Sequence, residues 1–406
     1  MNERIICCLE LSSTGVKMLA GYVYEKEVFI LNAIESTRTK LVKGGILDKD
    51  EMVITIKELA SKISSSIKFQ VNDVVLIMPS NGVQIISTKG ETNTNDSRIS
   101  LFDASNCHTQ CYKNVSDRLR PNYEIIDIVP YKYVYEDVYS NSFESERLPL
   151  NKAANHITMF ADVEAMDGAT IKNLESVVKK AGLNIVHKVC GANATINLTF
   201  SYNQSNPEFI FIDFGARQTT LGLSYEGRLE AVETLNYGSD DISDCIANKF
   251  NISFDKANEY KKLYGISKNP PFSFKTKDGF TVEELANVIK DSLRSLTDGI
   301  NSFLLQVDAN ARNLFILTGG GSDLVGLDDY LINSFNNRVM VFTPPFFGAR
   351  DKTYSNLVSA VKYYSEYENK STTLRPNDLT LTRVGGSIVN ENENNKIVQE
   401  NTDERL

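Results

Sequence analysis

Two acidic residues and three turns of small residues carry the chemistry this sequence offers. In residues 210–221 an apolar run ends at Asp213, breaks at Gly215 and resumes as an extended segment. Near the start, another apolar run passes Glu10 and turns through Ser12, Ser13, Thr14 and Gly15 before a second run begins. Far downstream, residues 314–317 feed Thr318, Gly319, Gly320, Gly321 and Ser322. Two strand–turn–strand loops can clamp a polyphosphate from opposite sides with backbone N–H groups, and a glycine-rich strand-to-helix loop lets an adenosine lie flat against bare backbone. A triple glycine alone is an ordinary loop; its combination with two such hairpins points to ATP.

Those turns must sit at the ends of strands, and the periodicity supplies them. Residues 5–10, 16–24 and 28–33 read as strands, followed by a helix over 46–67 with Met52, Ile56, Leu59, Ile63 and Ile67 on one face behind an Asp48 cap, and a buried strand at 74–78. The order then recurs: strands at 209–214, 221–225 and 229–236, and a helix over 240–250 opened by Ser239 and Asp240. Two similar halves suggest an internal duplication. Residues 255–264 and 282–307 read as helices, the second with a stripe of Ile289, Leu293, Leu296, Ile300, Phe303 and Leu304. After the 314–317 strand come a helix at 327–336, a short strand at 339–342 and a last helix at 354–367. Between residues 82 and 160 the pattern changes to a polar stretch at 91–98, a helix near 103–119 and aromatic strands over 123–139, which together read as an insertion. The main fold resumes at 156–163, before a helix over 169–181 that ends at Gly182. Beyond Glu368 the chain is polar, rich in Asn, Thr and Glu, and reads as disordered.

At 406 residues the chain is long enough for two or more domains with cores of their own. A hydrophobic share of 42% against 23% charged residues reads as soluble and globular. No run of eighteen apolar residues occurs, and the start lacks the hydrophobic length and cleavage site of a signal peptide, so a cytoplasmic protein is expected. A net charge of -9 offers no electrostatic footprint for nucleic acid. Cys7, Cys8, Cys190 and Cys245 lie in apolar or helical contexts and read as buried free thiols. Cys107, His108 and Cys111 have the spacing of a metal clip but lack a second ligand pair, and His156 and His187 read as structural.

Several motifs carry a resemblance. Leu9-Glu10-Leu11-Ser12-Ser13, Lys43-Gly44-Gly45-Ile46-Leu47-Asp48, Val129-Pro130-Tyr131-Lys132-Tyr133, Ala181-Gly182-Leu183, Gly238-Ser239-Asp240-Asp241-Ile242 and Leu317-Thr318-Gly319-Gly320-Gly321 are similar to motifs of the bacterial actin-like cell-division family FtsA. The chain resembles that family over residues 3–367. The resemblance implies an α/β, actin-like fold: a duplicated, ribonuclease H-like two-domain ATPase with an FtsA-type inserted subdomain. Residues 1–83 and 161–205, with 343–367 returning, would form the first domain around an insertion at 84–160. Residues 206–245 and 311–342 would form the core of the second, 246–310 its outer part, and 368–406 a disordered tail. It further implies that Glu10 and Asp213 orient Mg2+ through water, that Ser12, Ser13, Thr14, Gly215, Ala216 and Gln218 face the phosphates of ATP, and that Gly238, Asn258, Lys261, Gly319, Gly320, Gly321 and Ser322 surround the adenosine.

Departures from the family pattern point away from turnover. Ser12 stands for a glycine, and Gly15 replaces the lysine that commonly follows, which removes a phosphate counter-charge. Ala216-Arg217-Gln218-Thr219-Thr220 lacks the second loop's acidic residue; Arg217 is either a compensating charge or a solvated turn residue. Asn258 replaces a common Glu and binds a ribose hydroxyl less strongly. No residue stands out to orient or deprotonate a hydrolytic water, so no catalytic residue is assigned and at most a weak ATPase is expected.

As a family expectation, the protein would polymerise through the inserted subdomain and recruit FtsZ by that protein's C-terminal tail, at the cytoplasmic face of the cell membrane at the division site. The tail site maps to residues 280–301, where Lys290 and Arg294 would receive acidic groups or simply form a solvated face. The amphipathic helix with which the family meets the inner membrane surface is not matched: residues 390–406 carry five acidic residues against two basic ones, and Gly385-Gly386 interrupt the apolar stretch at 379–389. Two other readings share the fold. One is a PilM-like pilus-assembly scaffold, which binds a short peptide of an inner-membrane protein; the other, weakened by the missing second Asp, is an actin-fold kinase.

Overall fold

The computed structural model describes residues 4–42, 45–266, 271, 273–308, 314–346, 348–349, 351–370, 383–384 and 387–388. Lys43 and Gly44 of the glycine motif, and most of the polar tail after Lys370, lie outside the described residues. The chain opens with β1 (Ile6–Leu11), β2 (Val16–Tyr24) and β3 (Glu27–Ser36), a two-residue ladder of β4 (Leu41–Val42) and β5 (Gly45–Ile46), then α1 (Lys49–Ile67) and β6 (Asp73–Met78). Next come β7 (Gln84–Asn93), α2 (Leu101–Ser116), β8 (Tyr123–Glu136), β9 (Ser142–Ser145), β10 (His156–Asp167), α3 (Gly168–Lys180), β11 (Asn184–Cys190) and α4 (Gly191–Tyr202). The second half holds β12 (Glu208–Phe214), β13 (Thr219–Tyr225), β14 (Arg228–Leu235), α5 (Ser239–Phe250), α6 (Phe254–Tyr264) and α7 (Val282–Gln306). It continues through β15 (Leu314–Thr318), α8 (Leu327–Phe335), β16 (Arg338–Val341) and α9 (Ser355–Lys370), with a short ladder of β17 (Arg383–Val384) and β18 (Ser387–Ile388) in the tail.

Two five-stranded sheets repeat each other. One runs β3-β2-β1-β6-β11 and the other β14-β13-β12-β15-β16. In each, the central strand pairs antiparallel with its hairpin partner on one side and parallel with a later strand on the other. The outermost pair on that second side is parallel too. The duplication expected from the sequence is present strand for strand. Central strands covered on both faces have no solvent side, which is why β1 and β12 read as continuous apolar runs. In the second half Ile210, Ile212 and Phe214 pack with Ile242, Leu285, Ile289 and Leu293 of the covering helices.

Local chemistry fixes the helix starts. Asp48 accepts the backbone N–H groups of Asp50 and Glu51, both at 3.0 Å, and Lys68 closes α1 in the left-handed conformation at φ 54. Thr281 and Glu284 form a capping box at the head of α7, whose buried stripe includes Ile289, Leu293, Leu296, Ile300 and Phe303. Helix α4 is announced by no apolar periodicity in the sequence. Its Gly191, Ala192, Asn193, Ala194, Thr195, Ile196, Leu198 and Thr199 are all buried, and a helix covered all round shows no polar face. Cys245 corrects another expectation: it is exposed, because the buried stripe of α5 falls on Ile242, Ser243 and Ile246.

By internal contacts the chain divides into two compact units. Met1–Ser87, Arg118–Val129 and Asp162–Tyr363 form one, which contains both duplicated sheets; Thr88–Asp117, Pro130–Ala161 and Tyr364–Leu406 form the other. In the second unit α2 starts at a Ser100–Asp103 capping box and buries Ala104, Cys107, Cys111 and Val115. Cys107 Sγ donates to Ile157 O at 3.7 Å, and Gly90 leaves no room for a β-carbon beside Cys107 O. Burial pushes both thiols up to about 12, so they stay protonated. Among the described residues no cluster of three His, Cys, Asp or Glu side chains could hold a metal ion, and no helix is long and apolar enough to cross a membrane.

Candidate functional site

The first turn is built by a hydroxyl. Ser12 N donates to Gly15 O at 2.9 Å, and Ser12 Oγ accepts from the N–H groups of Thr14 and Gly15, both at 3.3 Å, while donating to Gly15 O at 3.0 Å. A β-carbon on Gly15 would overlap Ser36 O, so glycine is dictated by the neighbouring strand. The second turn is built by backbone alone. Gly215 N donates to Gln218 O at 3.0 Å, and a β-carbon on Gly215 would come within 2.7 Å of that same oxygen. The start of α5 buttresses this turn: Ser239 N donates to Gly215 O at 2.9 Å and Asp240 N to Ala216 O at 2.8 Å. The third turn leaves β15 at Gly319, with φ 83 and ψ 161, a backbone region open essentially to glycine only. A β-carbon there would strike Asp213 Oδ1, so strand β15 can lie beside the end of β12 only because position 319 has no side chain.

The three turns line one cleft of about 1010 Å³. Glu10, Ser12, Ser13, Thr14, Asp213, Gly215, Ala216, Gln218, Gly319, Gly320 and Gly321 all face it. Four expected ligands do not. Gly238 caps α5, its N–H donating to Asp241 Oδ2 at 2.7 Å. Lys261 Nζ donates to Ser239 O, and burial lowers its ammonium to about 8. Asn258 Oδ1 accepts from Ser243 Oγ at 3.5 Å, and Ser322 Oγ donates to Gly319 O at 2.7 Å. Gly238, Lys261 and Ser322 thus brace the wall from behind. Lys290 and Arg294 are exposed on α7 and line no part of the cleft; Arg294 pairs with Asp291 at 2.9 Å. Arg217 lines the cleft but turns its guanidinium to Asp240 at 3.0 Å and Asp244 at 3.5 Å, so its charge is already paired.

The cleft also holds a cation to which no sequence motif pointed. Lys17 lines the cleft, sits 3.6 Å from Glu10 Oε2 and donates to Thr353 O at 2.8 Å. Its position follows from hairpin register: Leu11 pairs with Val16, so Glu10 pairs with Lys17. Asn356, more than three hundred residues away, donates to Glu10 Oε1 at 2.8 Å, and its own Oδ1 accepts from Thr195 Oγ1 at 2.9 Å. Lys40, Lys352, Ser80 and Asn81 also face the cleft. Asp213 is half-buried. Its carboxyl is pushed up to about 6 by burial and then by the Glu10 carboxylate, against the pull of Lys17.

A nucleotide's phosphates fit these residues: backbone turns on two sides, a lysine between them, and bare glycine on the third wall. Around a magnesium ion, Glu10 and Asp213 are the carboxylates that would orient its waters: Glu10 Oε1 accepts from Asn356, whereas Glu10 Oε2 is buried 3.6 Å from Lys17 with no hydrogen-bond partner. Magnesium prefers free carboxylate and phosphate oxygens together with waters.

Comparisons with known proteins agree with the geometry. A family model described as Cell division protein FtsA matches residues 210–359. FtsA of Enterococcus faecalis is 23% identical over 372 residues, covering 88% of this chain and 83% of that protein. Among solved structures, the PilM-PilN type IV pilus biogenesis complex matches with a TM-score of 0.61 at 16% identity, over 88% of this chain and 98% of the other. MreB5 of Spiroplasma citri bound to ADP matches with a TM-score of 0.51 at 14% identity, over 91% and 98%. With the duplicated sheets, these likenesses show the actin-like fold. By family model across residues 210–359, and by sequence over 88% of its length, this chain resembles the FtsA cell-division proteins.

Proposed function

We propose that the protein is an FtsA-like cell-division scaffold that holds ATP in the cleft between its duplicated halves, self-assembles into actin-like filaments and links FtsZ to the membrane-side division machinery. The observation that carries this reading is the coincidence of two things: a cleft lined by three turns suited to a polyphosphate, and sequence likeness to FtsA proteins over 88% of the chain. Bound nucleotide acts as a ligand that holds the two halves together, stabilising the folded protein by mass action. Turnover is slow or absent, because the cleft's carboxylates are Glu10, which is already paired, and Asp213. Magnesium would enter with the nucleotide, its waters oriented by Glu10 and Asp213.

In this reading residues 84–160 are the inserted subdomain through which copies associate, and the exposed Lys290 and Arg294 on α7 receive the acidic C-terminal tail of FtsZ. Fluorescence anisotropy with an FtsZ tail peptide tests it. Lys290→Glu with Arg294→Glu should weaken binding by about tenfold or more, as expected for paired opposite charges replaced by like ones. Failure of the wild-type chain to bind the peptide, and to co-sediment with FtsZ filaments, sinks the reading. Capture of a PilN-type peptide instead would favour a PilM-like scaffold, whose fold this chain shares.

A further inference from the structure

Away from the cleft, the first unit buries three carboxylates together. Asp162 and Glu164 lie two residues apart on one face of β10, and Asp127 comes from β8; all three are buried. Three more elements supply their partners: β11 through His187, α4 through Asn193 and β14 through Arg228. A β-bulge between Ile185 and His187 in the β11–β6 ladder re-aims the strand at this point, and His187 Nε2 lies 3.2 Å from Asp127 Oδ2. Asp162 is engaged at both oxygens: Arg228 Nη1 donates to Oδ2 at 2.6 Å and Ser87 Oγ to Oδ1 at 2.7 Å. Glu164 differs from both. Asn193 Nδ2 donates to its Oε1 at 2.5 Å, while Oε2 is buried with no hydrogen-bond partner, and only 1% of the residue is exposed.

A carboxylate in that position is a buried charge beside two others of the same sign, whereas a neutral carboxyl there costs far less. Burial, and then the Asp127 carboxylate, push the Glu164 carboxyl up to about 8, with Asp162 adding to the repulsion. The neighbouring Cys190 thiol is pushed up to about 12 by burial and then by Glu164, so it stays protonated where Glu164 titrates. We propose that this cluster is a proton-operated clasp: with a proton on Glu164 the adjoining stretches of β8 and β10 stay packed on β11 and α4, and loss of that proton releases them, because the carboxylate must then reach water. The step moves one proton from Glu164 to solvent and makes or breaks no other covalent bond. None of these residues lines the nucleotide cleft, so the clasp stands apart from the nucleotide reading. Through Arg228 of β14 it also ties the second duplicated sheet to strands that follow the first.

The test is amide hydrogen exchange of the full chain, followed by mass spectrometry from about pH 7 to about pH 9 and corrected for the intrinsic pH dependence of exchange. Wild-type peptides from β8, β10 and α4 should lose protection by about tenfold across that interval, with a midpoint at about 8, while α7 keeps its protection. Glu164→Gln preserves the shape without the charge and should hold protection level throughout. Asp127→Asn removes the nearest repulsion and should move the midpoint down by about one pH unit. Level protection of β8 and β10 in the wild type overturns the proposal, as does an equal loss in Glu164→Gln or a loss shared by α7. Should Glu164→Gln fail to fold, the wild-type profile and Asp127→Asn decide: a midpoint that Asp127→Asn leaves in place overturns the assignment to Glu164.

Discussion

The two halves of the first unit have sheets of the same strand order and differ at the ends of those strands. Strand order and direction repeat, yet the first half closes its turn with a serine hydroxyl and pairs its acid with a lysine, whereas the second closes its turn with backbone and leaves Asp213 unpaired. The exits of the parallel neighbours differ as well. After β6 the chain passes through Pro79, Ser80 and Asn81, with side chains throughout; after β15 it passes through Gly319, Gly320 and Gly321. Topology is copied because burial on both faces constrains it, while the rim is free to divide its chemistry between the halves. One half holds its charge balanced, and the other holds room and an uncompensated carboxyl.

The largest effect should come from filling that room. Gly319→Val places a side chain against Asp213 Oδ1 and Phe214 O at a φ of 83. A cost of about 4 kcal/mol is expected in urea unfolding, from backbone strain and overpacking together, with loss of nucleotide binding. Asn81 is exposed at the equivalent exit of the first half, and Asn81→Val should cost about 0.5 kcal/mol or less. Similar costs at the two positions would remove the asymmetry.

The two acids should respond with opposite signs. Glu10→Gln leaves the Lys17 ammonium buried without its carboxylate and should destabilise the protein by about 3 kcal/mol. Asp213→Asn should stabilise it. A carboxyl at about 6 when folded, against 3.8 as its ordinary value, binds more protons in the folded than in the unfolded chain between those values. Stability contributed by this group therefore falls as pH rises from about 4 to about 6 and stays lost above. At about pH 7 Asp213→Asn should gain about 2 kcal/mol, and its advantage should vanish near pH 4. Denaturant midpoints at the two pH values measure both variants; an Asp213→Asn protein less stable than wild type at neutral pH would show that the carboxylate is satisfied after all.

The sequence made the duplicated sheets legible because β1, β6, β12 and β15 are buried on both faces and cannot hide as alternating patterns. The glycine turns were legible for the opposite reason: backbone contact tolerates no side chain, and Gly215 and Gly319 announce it. Helix α4 was not, since burial all round erases the periodicity by which helices are found. Lys17 was recoverable only by counting register through the turn instead of matching a motif. Asn356 could not be found at all from local pattern, because its partner Glu10 lies at the other end of the chain. Asn258 and Lys261 entered through the resemblance alone, and nothing local in the sequence says that their side chains meet Ser243 and Ser239.

The smallest effect tests whether the serine in the first turn is structural or a phosphate ligand. Ser12 Oγ is engaged four ways within the turn, with Thr14 N, Thr14 Oγ1, Gly15 N and Gly15 O. A hydroxyl so committed shapes the loop, whereas the second turn is closed by backbone, Gly215 N donating to Gln218 O. Ser12→Ala should therefore cost about 1 kcal/mol of stability, the ordinary net worth of such bonds in a partly exposed turn, and weaken nucleotide binding by less than about tenfold. Ser12→Gly should cost more in stability, through the added freedom of the unfolded chain, with the same small change in affinity. If Ser12→Ala instead lost binding by far more than it lost stability, the hydroxyl would be a ligand in its own right, and the two turns would differ in how they grip phosphate as well as in how they are built.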